Sequence, residues 1–531
     1  MSRVESVSRA PCEVLTAEQM RAAERSAMEA GAATGLSLME RAGRGVVAEA
    51  FEAWPDLAAA PRRAWVLCGP GNNGGDGFVV ARLLAGRGWQ VEVVLFGEAQ
   101  KLPPDTRANH DRWAATGPVH GAPPESAAAP DLVVDALFGT GLGRAIPDEL
   151  VRWGRVVRRM DGVRVLAVDI PSGLCADSGA ALVPAGRPDA PAGGCVFAPA
   201  DLTVSFHRAK PGHFLRDGPR LCGRLAVHDI GLGGDAATGP GAALLRLVRP
   251  GSPPFAPPRK RPEAQKYEYG HALVLSGGVG QGGAARLAAR GALRMGAGLV
   301  TVGCPPEART ENAARLDAIM LREVADADRL AELLEDPRIT VLCLGPGLGT
   351  GTREAAILEV ALRSGRAAVL DADALTLLAA DRTLARLVHA GCVLTPHGGE
   401  FARLFPDLSE ALDAPPVKGP AVSKVEAARQ AAARLGCTLL FKGADTVIAG
   451  PGPSAALSAA VHERAAPWLA TAGAGDVLSG FVAGLLAQGR APLDAAATAA
   501  WLHQETAIAF GAGLVAEDLP EMLPSVLRSL G

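Results

Sequence analysis

The sequence predicts an α/β protein of two domains, each a doubly wound, mainly parallel sheet. Three observations predict it. The chain has 531 residues, more than one hydrophobic core usually serves. In both halves short, near-continuously apolar strands alternate with amphipathic helices, as in parallel sheets covered on both faces. Between the halves, from about Gly234 to Gln265, runs a Pro-, Gly- and Arg-rich stretch (GPGAALLRLVRPGSPPFAPPRKRPEAQ) in which only LLRLV reads as structured. Such a composition suits a linker, and the expected domains are residues 12–234 and 240–531.

Composition narrows the function classes. At 48% hydrophobic and 21% charged residues the chain is ordinary globular material. A net charge of −3 gives no basic footprint for nucleic acid or a membrane surface, and scarce aromatics argue against base stacking. The nine cysteines form no C-x-x-C pair and no zinc-spaced cluster, which reads as buried thiols in a reducing compartment. The N-terminus lacks an apolar signal core and no apolar run is long enough to cross a bilayer. The expected setting is cytoplasmic.

Two helices open the first half. Thr16 and Gln19 stand at capping-box spacing before TAEQMRAAERSAMEA, with Gly31 as the stop, and Ser37 and Glu40 repeat the spacing before LSLMERAGRGVVAEAFEAW. A strand (AWVLC), a Gly-rich loop, a helix (FVVARLLAGRG) and a strand (QVEVVLF) then make a βαβ unit. Strands follow at DLVVDALFG, VRVLAVDI, DLTVSF and RLAVHDI, with a surface loop from Val183 to Gly194. In the second half HALVLSGG, LVTVGCP, ITVLCLGPG, AAVLDADAL, CVLTPHGGE and TLLFKGADTVIAG read as strands with exit loops, and GAGDVLSGFVAGLLAQG as a Gly-rich turn opening a long apolar helix.

The first chemical signal is GPGNNGGDGFVVAR, Gly69 to Arg82. Gly69, Gly71 and Gly74 satisfy G-x-G-x-x-G, whose amides and helix N-terminus suit a pyrophosphate. Alone the spacing is weak, since a ligand-free tight turn gives it too; Asn72, Asn73 and Asp76 among the glycines go beyond what a turn needs. Asp135 and Asp169 end further strands. A strand-end Asp is commonly a helix cap, but ligands of open parallel sheets sit beyond strand C-termini, where Asn73, Asp135 and Asp169 can converge. Oxygen donors without His or Cys favour a hard cation.

With VDALFGTGLGR and VDIPSG, preceded by LMERAG and followed by TVSFHRAK, this segment resembles the NAD(P)H-hydrate epimerase family (the YjeF N-terminal domain), over about Leu15 to Gly234. The resemblance implies a Rossmann-like fold and a potassium ion held by Asn73, Asp135 and Ser172. It implies substrate contacts from Asn72, Asn73, Gly74, Gly75 and Asp76, from Gly139, Thr140, Gly141, Leu142, Gly143, Arg144 and Ala145, and from Asp169. The epimerised carbon carries a hydroxyl next to a ring nitrogen, so inversion by C–O or ring opening needs a proton donor and acceptor, and Asp169 is the expected residue. Lys210 could neutralise phosphate, although a surface lysine is the commoner reading. Arg41 and Cys175 depart from the family's LMENAG and DIPSGLD.

In the second half the strongest signal is TAGAGDVLSG, Thr471 to Gly480. Glycines before a helix make a nest of amides suited to a transferring phosphoryl group, and Asp476 can take a proton from the hydroxyl being phosphorylated, or else cap its own helix. With LTPHGGEFARL, FKGADT, GPGLG and DADAL it resembles the ribokinase-like ADP/ATP-dependent NAD(P)H-hydrate dehydratases, from about Tyr267 to the end. The resemblance implies that Lys442, Gly443, Ala444, Asp445, Thr446 and Gly475 hold the adenine nucleotide, and that Ala284, Gly347, His397 and Asp476 line the hydrated-dinucleotide site. GGVGQGGA, HGGE and HERAAPWLATAGAGD depart from the family's commoner patterns.

The activities implied are epimerisation of the R and S forms of NADHX and NADPHX, and dehydration of the S form at the expense of ADP or ATP. Phosphorylating the 6-hydroxyl makes it a leaving group, with Asp476 as base and magnesium offsetting the nucleotide phosphates. Fused two-domain forms favour ADP as donor. The partners are then small molecules, without nucleic acid or membrane; the oligomeric state stays open, a homo-oligomer included. Two rivals also stay open: a small-molecule kinase in the second half, since such folds share GxGD, and a non-catalytic binding module in the first.

Overall fold

The computed structural model describes residues 12–123, 129–191, 195–233 and 243–530. The chain forms two compact units. Glu13–Leu244 and, from far along the sequence, Ala414–Ser423 make the first; Leu245–Asp413 with Lys424–Gly531 make the second. The expected boundary between 234 and 240 lies outside the described residues, as do 192–194 at the end of the expected surface loop. Earlier in that loop residues 185–189 are exposed, as expected, and Arg187 pairs with Asp148.

The first unit's sheet has strands β1 (Arg63–Cys68), β2 (Gln90–Leu95), β3 (Val119–His120), β4 (Leu132–Ala136), β5 (Arg164–Val168), β6 (Leu202–Phe206) and β7 (Arg224–His228). They lie in the order β3-β2-β1-β4-β5-β6-β7, all parallel. The chain runs outward from β1 to β3, then returns to place β4 on the other side of β1. The switch point between β1 and β4 opens a crevice beyond their C-termini.

Helix α1 (Ala17–Glu29) carries the expected Thr16–Gln19 capping box. Helix α2 (Gly35–Ala53) does not start at Ser37: Thr34 is the cap and Ser37 its third-position partner. Thr34 is extended (φ −118°, ψ 159°), so its hydroxyl reaches the Ser37 amide, while Glu40 turns to Arg44 and Arg82. The expected Gly-rich loop is also shorter than predicted, because helix α3 (Asn72–Ala85) already begins at Asn72. Its glycines allow close approach: a Cβ on Gly74 would lie 2.1 Å from the Gly69 carbonyl oxygen.

The second unit's strands are β8 (Leu245–Leu247), β9 (His271–Leu275), β10 (Leu299–Cys304), β11 (Met320–Glu323), β12 (Ile339–Leu344), β13 (Ala367–Leu370), β14 (Cys392–Leu394), β15 (Thr438–Phe441), β16 (Asp445–Ala449) and β17 (Ala455–Ala459). Their order is β8-β17-β16-β15-β14-β13-β12-β9-β10-β11, with a second switch point between β9 and β12. TLLFKGADTVIAG holds two strands, and β15, β16 and β17 form antiparallel hairpins in the otherwise parallel sheet, because residues 442–444 are too few for a crossover.

Helices α4 (Gly282–Arg294), α5 (Ala372–Ala380), α6 (Gly398–Leu404), α7 (Ala474–Ala487) and α8 (Pro492–Phe510) position the site. Helices α4 and α7 touch through small residues: a Cβ on Gly480 would lie 2.0 Å from the Ala288 carbonyl oxygen.

The Pro-rich stretch is not a free linker over its described part. Strand β8 extends the sheet beside β17, and Val248 and Phe255 are buried. The Phe255 and Trp501 rings meet edge to face at 5.0 Å. The Ala256 N–H donates to Thr498 Oγ1 at 3.1 Å, and Arg490 donates to the Pro257 carbonyl at 2.9 Å. Prolines lack ladder donors, but a Pro-rich run can still dock through one aromatic anchor. Phe255→Ala should therefore cost the second unit about 3–5 kcal/mol, read as a shift of its denaturant midpoint; a change below about 1 kcal/mol would show that the segment only rests there.

Candidate active sites

At the first switch point lies a cavity of about 560 Å³. Asn72, Asn73 and Asp76 reach it from the first turn of α3, residues 139–144 from the loop after β4, Asp169 from the end of β5, and Arg21 and Glu24 from α1. Asp169 has a left-handed backbone (φ 67°), a strained conformation that its surroundings must hold. The Asp169 N–H donates to the Val204 carbonyl at 2.8 Å, and His213 Nε2 donates to the Asp169 carbonyl at 2.9 Å.

The Asp169 side chain is equally fixed. Lys210 Nζ lies 2.8 Å from Oδ1, Ser205 Oγ donates to Oδ1 at 3.1 Å, and the Thr140 N–H donates to Oδ2 at 3.2 Å. Lys210 is no surface lysine: it is 1% exposed, drawn inside by this carboxylate. Burial pushes the Asp169 carboxyl up, but the charge and hydrogen bond of Lys210 hold it below its ordinary value. Asp76 goes the other way, raised well above its ordinary value by burial and by the charges of Asp169 and Glu24. The two carboxyls of one cavity are thus pushed in opposite directions, the kind of split that separates an acid from a base.

Beneath it, Asp135 and Ser172 are fully buried. Ser172 Oγ donates to Asp135 Oδ1 at 2.6 Å and the Ser172 N–H to Oδ2 at 2.9 Å. Burial raises the Asp135 carboxyl to about 6 against these bonds. Among the described residues no Lys, Arg or His pairs with it. A Cβ on Gly139 would lie 3.0 Å from Asn73 Oδ1 and 3.2 Å from Asp169 Oδ2, so glycine keeps that space open. A buried carboxylate without a cation, amid oxygen donors, fits a hard ion.

The expected contacts divide. Gly74, Gly75 and Ala145 do not line the cavity; Gly74 and Gly75 are buried within the first turn of α3. Glu24 and Arg21 were missed, because nothing in an amphipathic helix marks which turn faces a distant crevice. Arg41 donates to the Ile230 carbonyl at 2.9 Å and Cys175 is buried; neither lines the cavity.

In the second unit, Gly473 (φ 87°) caps α7 and Asp476 lies in its first turn. Burial and the charge of Asp371 raise the Asp476 carboxyl to about 6, against the charge of Lys442. Asp371 is 1% exposed; it accepts from Lys442 Nζ at 2.8 Å and from Ser479 Oγ at 2.7 Å, and caps α5. Lys442 also lies 3.7 Å from Glu400. Asp371 appeared in the sequence only as part of DADAL, without a role.

A cavity of about 480 Å³ beside α7 gathers Lys442, Gly443, Ala444, Thr446 and Gly475 with Leu469, His503 and Gln504. Asp445 does not line it; its carboxylate lies 2.6 Å from Lys424 Nζ. Burial lowers His503 to about 4, and its Nε2 donates to the Ala474 carbonyl at 2.8 Å, which ties α8 to the turn that carries Asp476. Ala284, Gly347, His397 and Asp476 lie outside this cavity. Gly347 (φ 63°) and Ala284 adjoin at the switch point. His397 caps α6, its Nδ1 accepting from the Gly399 N–H at 3.0 Å, with its side chain 56% exposed. Among the described residues no helix is long and apolar enough to cross a membrane.

Residues 35–212 match the family model of the YjeF-related protein N-terminus, and residues 272–527 that of NAD(P)H-hydrate dehydratase. The bifunctional NAD(P)H-hydrate repair enzyme of Moorella thermoacetica is 35% identical over 97% of this chain and 97% of its own. The NAD(P)H-hydrate epimerase of Rhodobacter capsulatus is 53% identical over 38% of this chain and 91% of its own. Among solved structures, the ADP/ATP-dependent NAD(P)H-hydrate dehydratase of Bacillus subtilis, co-crystallised with ATP and Mg²⁺, aligns at 27% identity over 52% of this chain and 94% of its own, with a TM-score of 0.43.

Lys210→Met should leave Asp169 buried without its cation and cost about 3–5 kcal/mol near neutral pH. The native pair, with its depressed Asp169, contributes stability above the unfolded carboxyl pKa and loses it as pH falls. The variant's deficit should therefore shrink on acidification, as Asp169 takes up a proton. A deficit independent of pH between about 4 and 7 would mean that packing, not charge, holds Lys210 inside.

Proposed function

We propose that this chain, which belongs to the bifunctional NAD(P)H-hydrate repair enzymes, interconverts the R and S forms of NADHX and NADPHX in its first unit and dehydrates the S form in its second. The observation that carries the reading is geometric: Asp169 and Asp76 line one cavity, and only Asp169 has a lysine ammonium against it, Lys210 Nζ at 2.8 Å from Oδ1, which accords with the opposite directions in which the two carboxyls are shifted. Epimerisation needs such a pair. As the ring opens, the hydroxyl proton passes to Asp169 while Asp76 protonates the departing ring nitrogen; closure on the other face reverses both transfers. Asn73, Asp135 and Ser172 would hold potassium, whose charge would balance Asp135.

In the second unit Asp476 takes the proton of the 6-hydroxyl as the phosphoryl group arrives, and the amides opening α7 face the charge that develops. The ring nitrogen then expels phosphate, and loss of the adjacent C5 proton restores the dihydronicotinamide. The cavity of Lys442, Gly443, Ala444, Thr446 and Gly475 takes the ADP or ATP. Asp371 and Glu400 already face Lys442, so magnesium would travel on the nucleotide phosphates. Nine free cysteines, eight of them buried, support a reducing, cytoplasmic setting.

Asp476→Asn should lower nucleotide-dependent dehydration by about two to four orders of magnitude and leave epimerisation running. Wild-type dehydratase kcat/KM should rise with pH through about 6, as Asp476 loses its proton. Release of a stable phosphorylated product instead of free phosphate would favour the kinase rival. Asp169→Ala, given mixed epimers, should show a fast phase from the accepted epimer and then a slow phase set by spontaneous epimerisation. A single-phase course like that of wild type would make the first unit a binding module.

A further inference from the structure

The segment Ala414–Ser423, encoded between two helices of the second half, belongs to the first unit. It is held by backbone bonds. The Val183 N–H donates to the Pro416 carbonyl at 3.1 Å, and the Gly419 N–H donates to the Gly143 carbonyl at 3.0 Å. Between these contacts Lys418 and Arg144 face each other across an antiparallel bridge. Because the Gly143–Gly419 bond flanks them, they are a non-hydrogen-bonded pair, with Cα atoms about 4.5 Å apart and side chains on one face. Gly419 admits the approach, since a Cβ there would lie 2.9 Å from the Leu142 carbonyl oxygen.

Two like charges opposed in this way repel. Among the described residues neither side chain has a hydrogen-bond or ion-pair partner. Arg144 lines the first cavity together with Leu142 and Gly143, and Lys418 is exposed beside it. The lysine that lines that cavity, Lys210, is committed to Asp169. An unpaired Arg–Lys couple at the rim of a cavity suits a phosphate, with a guanidinium fork and an ammonium converging on its oxygens.

We infer that Lys418 is a binding residue of the first site, pairing with Arg144 to hold a phosphate group of the dinucleotide. The inference rests on the epimerase reading of that cavity and adds to it a residue supplied by the far half of the chain. Every dinucleotide of this class carries the diphosphate, and the phosphorylated form carries a 2′-phosphate as well.

The test uses the full chain. Lys418→Ala should raise the epimerase KM roughly threefold to tenfold, the scale of one charge-assisted contact, with kcat moving far less; Lys418→Glu should raise it further and Lys418→Arg restore it. An equal rise for NADHX and NADPHX assigns the diphosphate, and a rise for NADPHX alone assigns the 2′-phosphate. A kcat effect without a KM effect, or failure of arginine to rescue, overturns the inference. A second arm does not depend on epimerase activity: acylation of Lys418 by an amine-reactive ester, read by mass spectrometry, should fall severalfold with NADP⁺ or inorganic diphosphate. Equal labelling with and without these anions overturns the inference, whereas protection in a chain that fails to epimerise would sink only the epimerase reading.

Discussion

Each unit is organised around one lysine committed to one aspartate at a strand exit, Lys210 with Asp169 and Lys442 with Asp371. Such a pair is a weak source of net stability, because desolvation of both ions offsets most of their attraction. What it supplies is order. Lys210 is drawn inside by the Asp169 carboxylate, and the same carboxylate takes the Thr140 N–H, which fixes the loop after β4. Lys442 sets Asp371 between itself and Ser479, and so fastens α7 to the end of β13. Remove either lysine and a buried carboxylate must either protonate or find water.

The pairs can act because topology brings the right ends together. In each sheet the chain leaves the central strand in one direction and then returns to its other side, so the loops after β1 and β4, and after β9 and β12, open a crevice. Close approach there depends on missing side chains. A Cβ on Gly277 would lie 1.9 Å from the Gly347 carbonyl oxygen, and one on Gly69 1.6 Å from that of Leu137. The glycines of both motifs are thus first of all spacers, and only some of them also line a cavity.

Much of this was legible in the sequence, and what was not follows a physical pattern. Strand cores, the Thr16 cap and the strand-end aspartates are local facts of periodicity and residue type, and the sequence carries them. Three local readings erred because another group won: Thr34 outcompeted Ser37 for the α2 cap, helix propagation took residues 72–76 out of the loop, and Phe255 anchored a run whose prolines suggested freedom. Glu24, Asp371 and the inward turn of Lys210 depend on contacts between residues far apart along the chain. A lysine near a strand end looks the same whether its carboxylate is present or not, until the fold places the two together.

Two activities on one chain need no passage between their sites. Interconversion of the R and S forms is reversible, while dehydration is drawn forward by phosphoryl transfer, so consumption of one form pulls the other through solution by mass action. What covalent linkage adds is a fixed one-to-one ratio of the two units. It also adds something structural, because the first unit is completed by Ala414–Ser423, a short stretch flanked on both sides by chain of the second. Its backbone bonds to Val183 and Gly143 brace the loop that carries Arg144. A first unit cut off after residue 244 would keep its sheet, its switch point and its Asp169–Lys210 pair, yet lack that brace on one wall of the cavity.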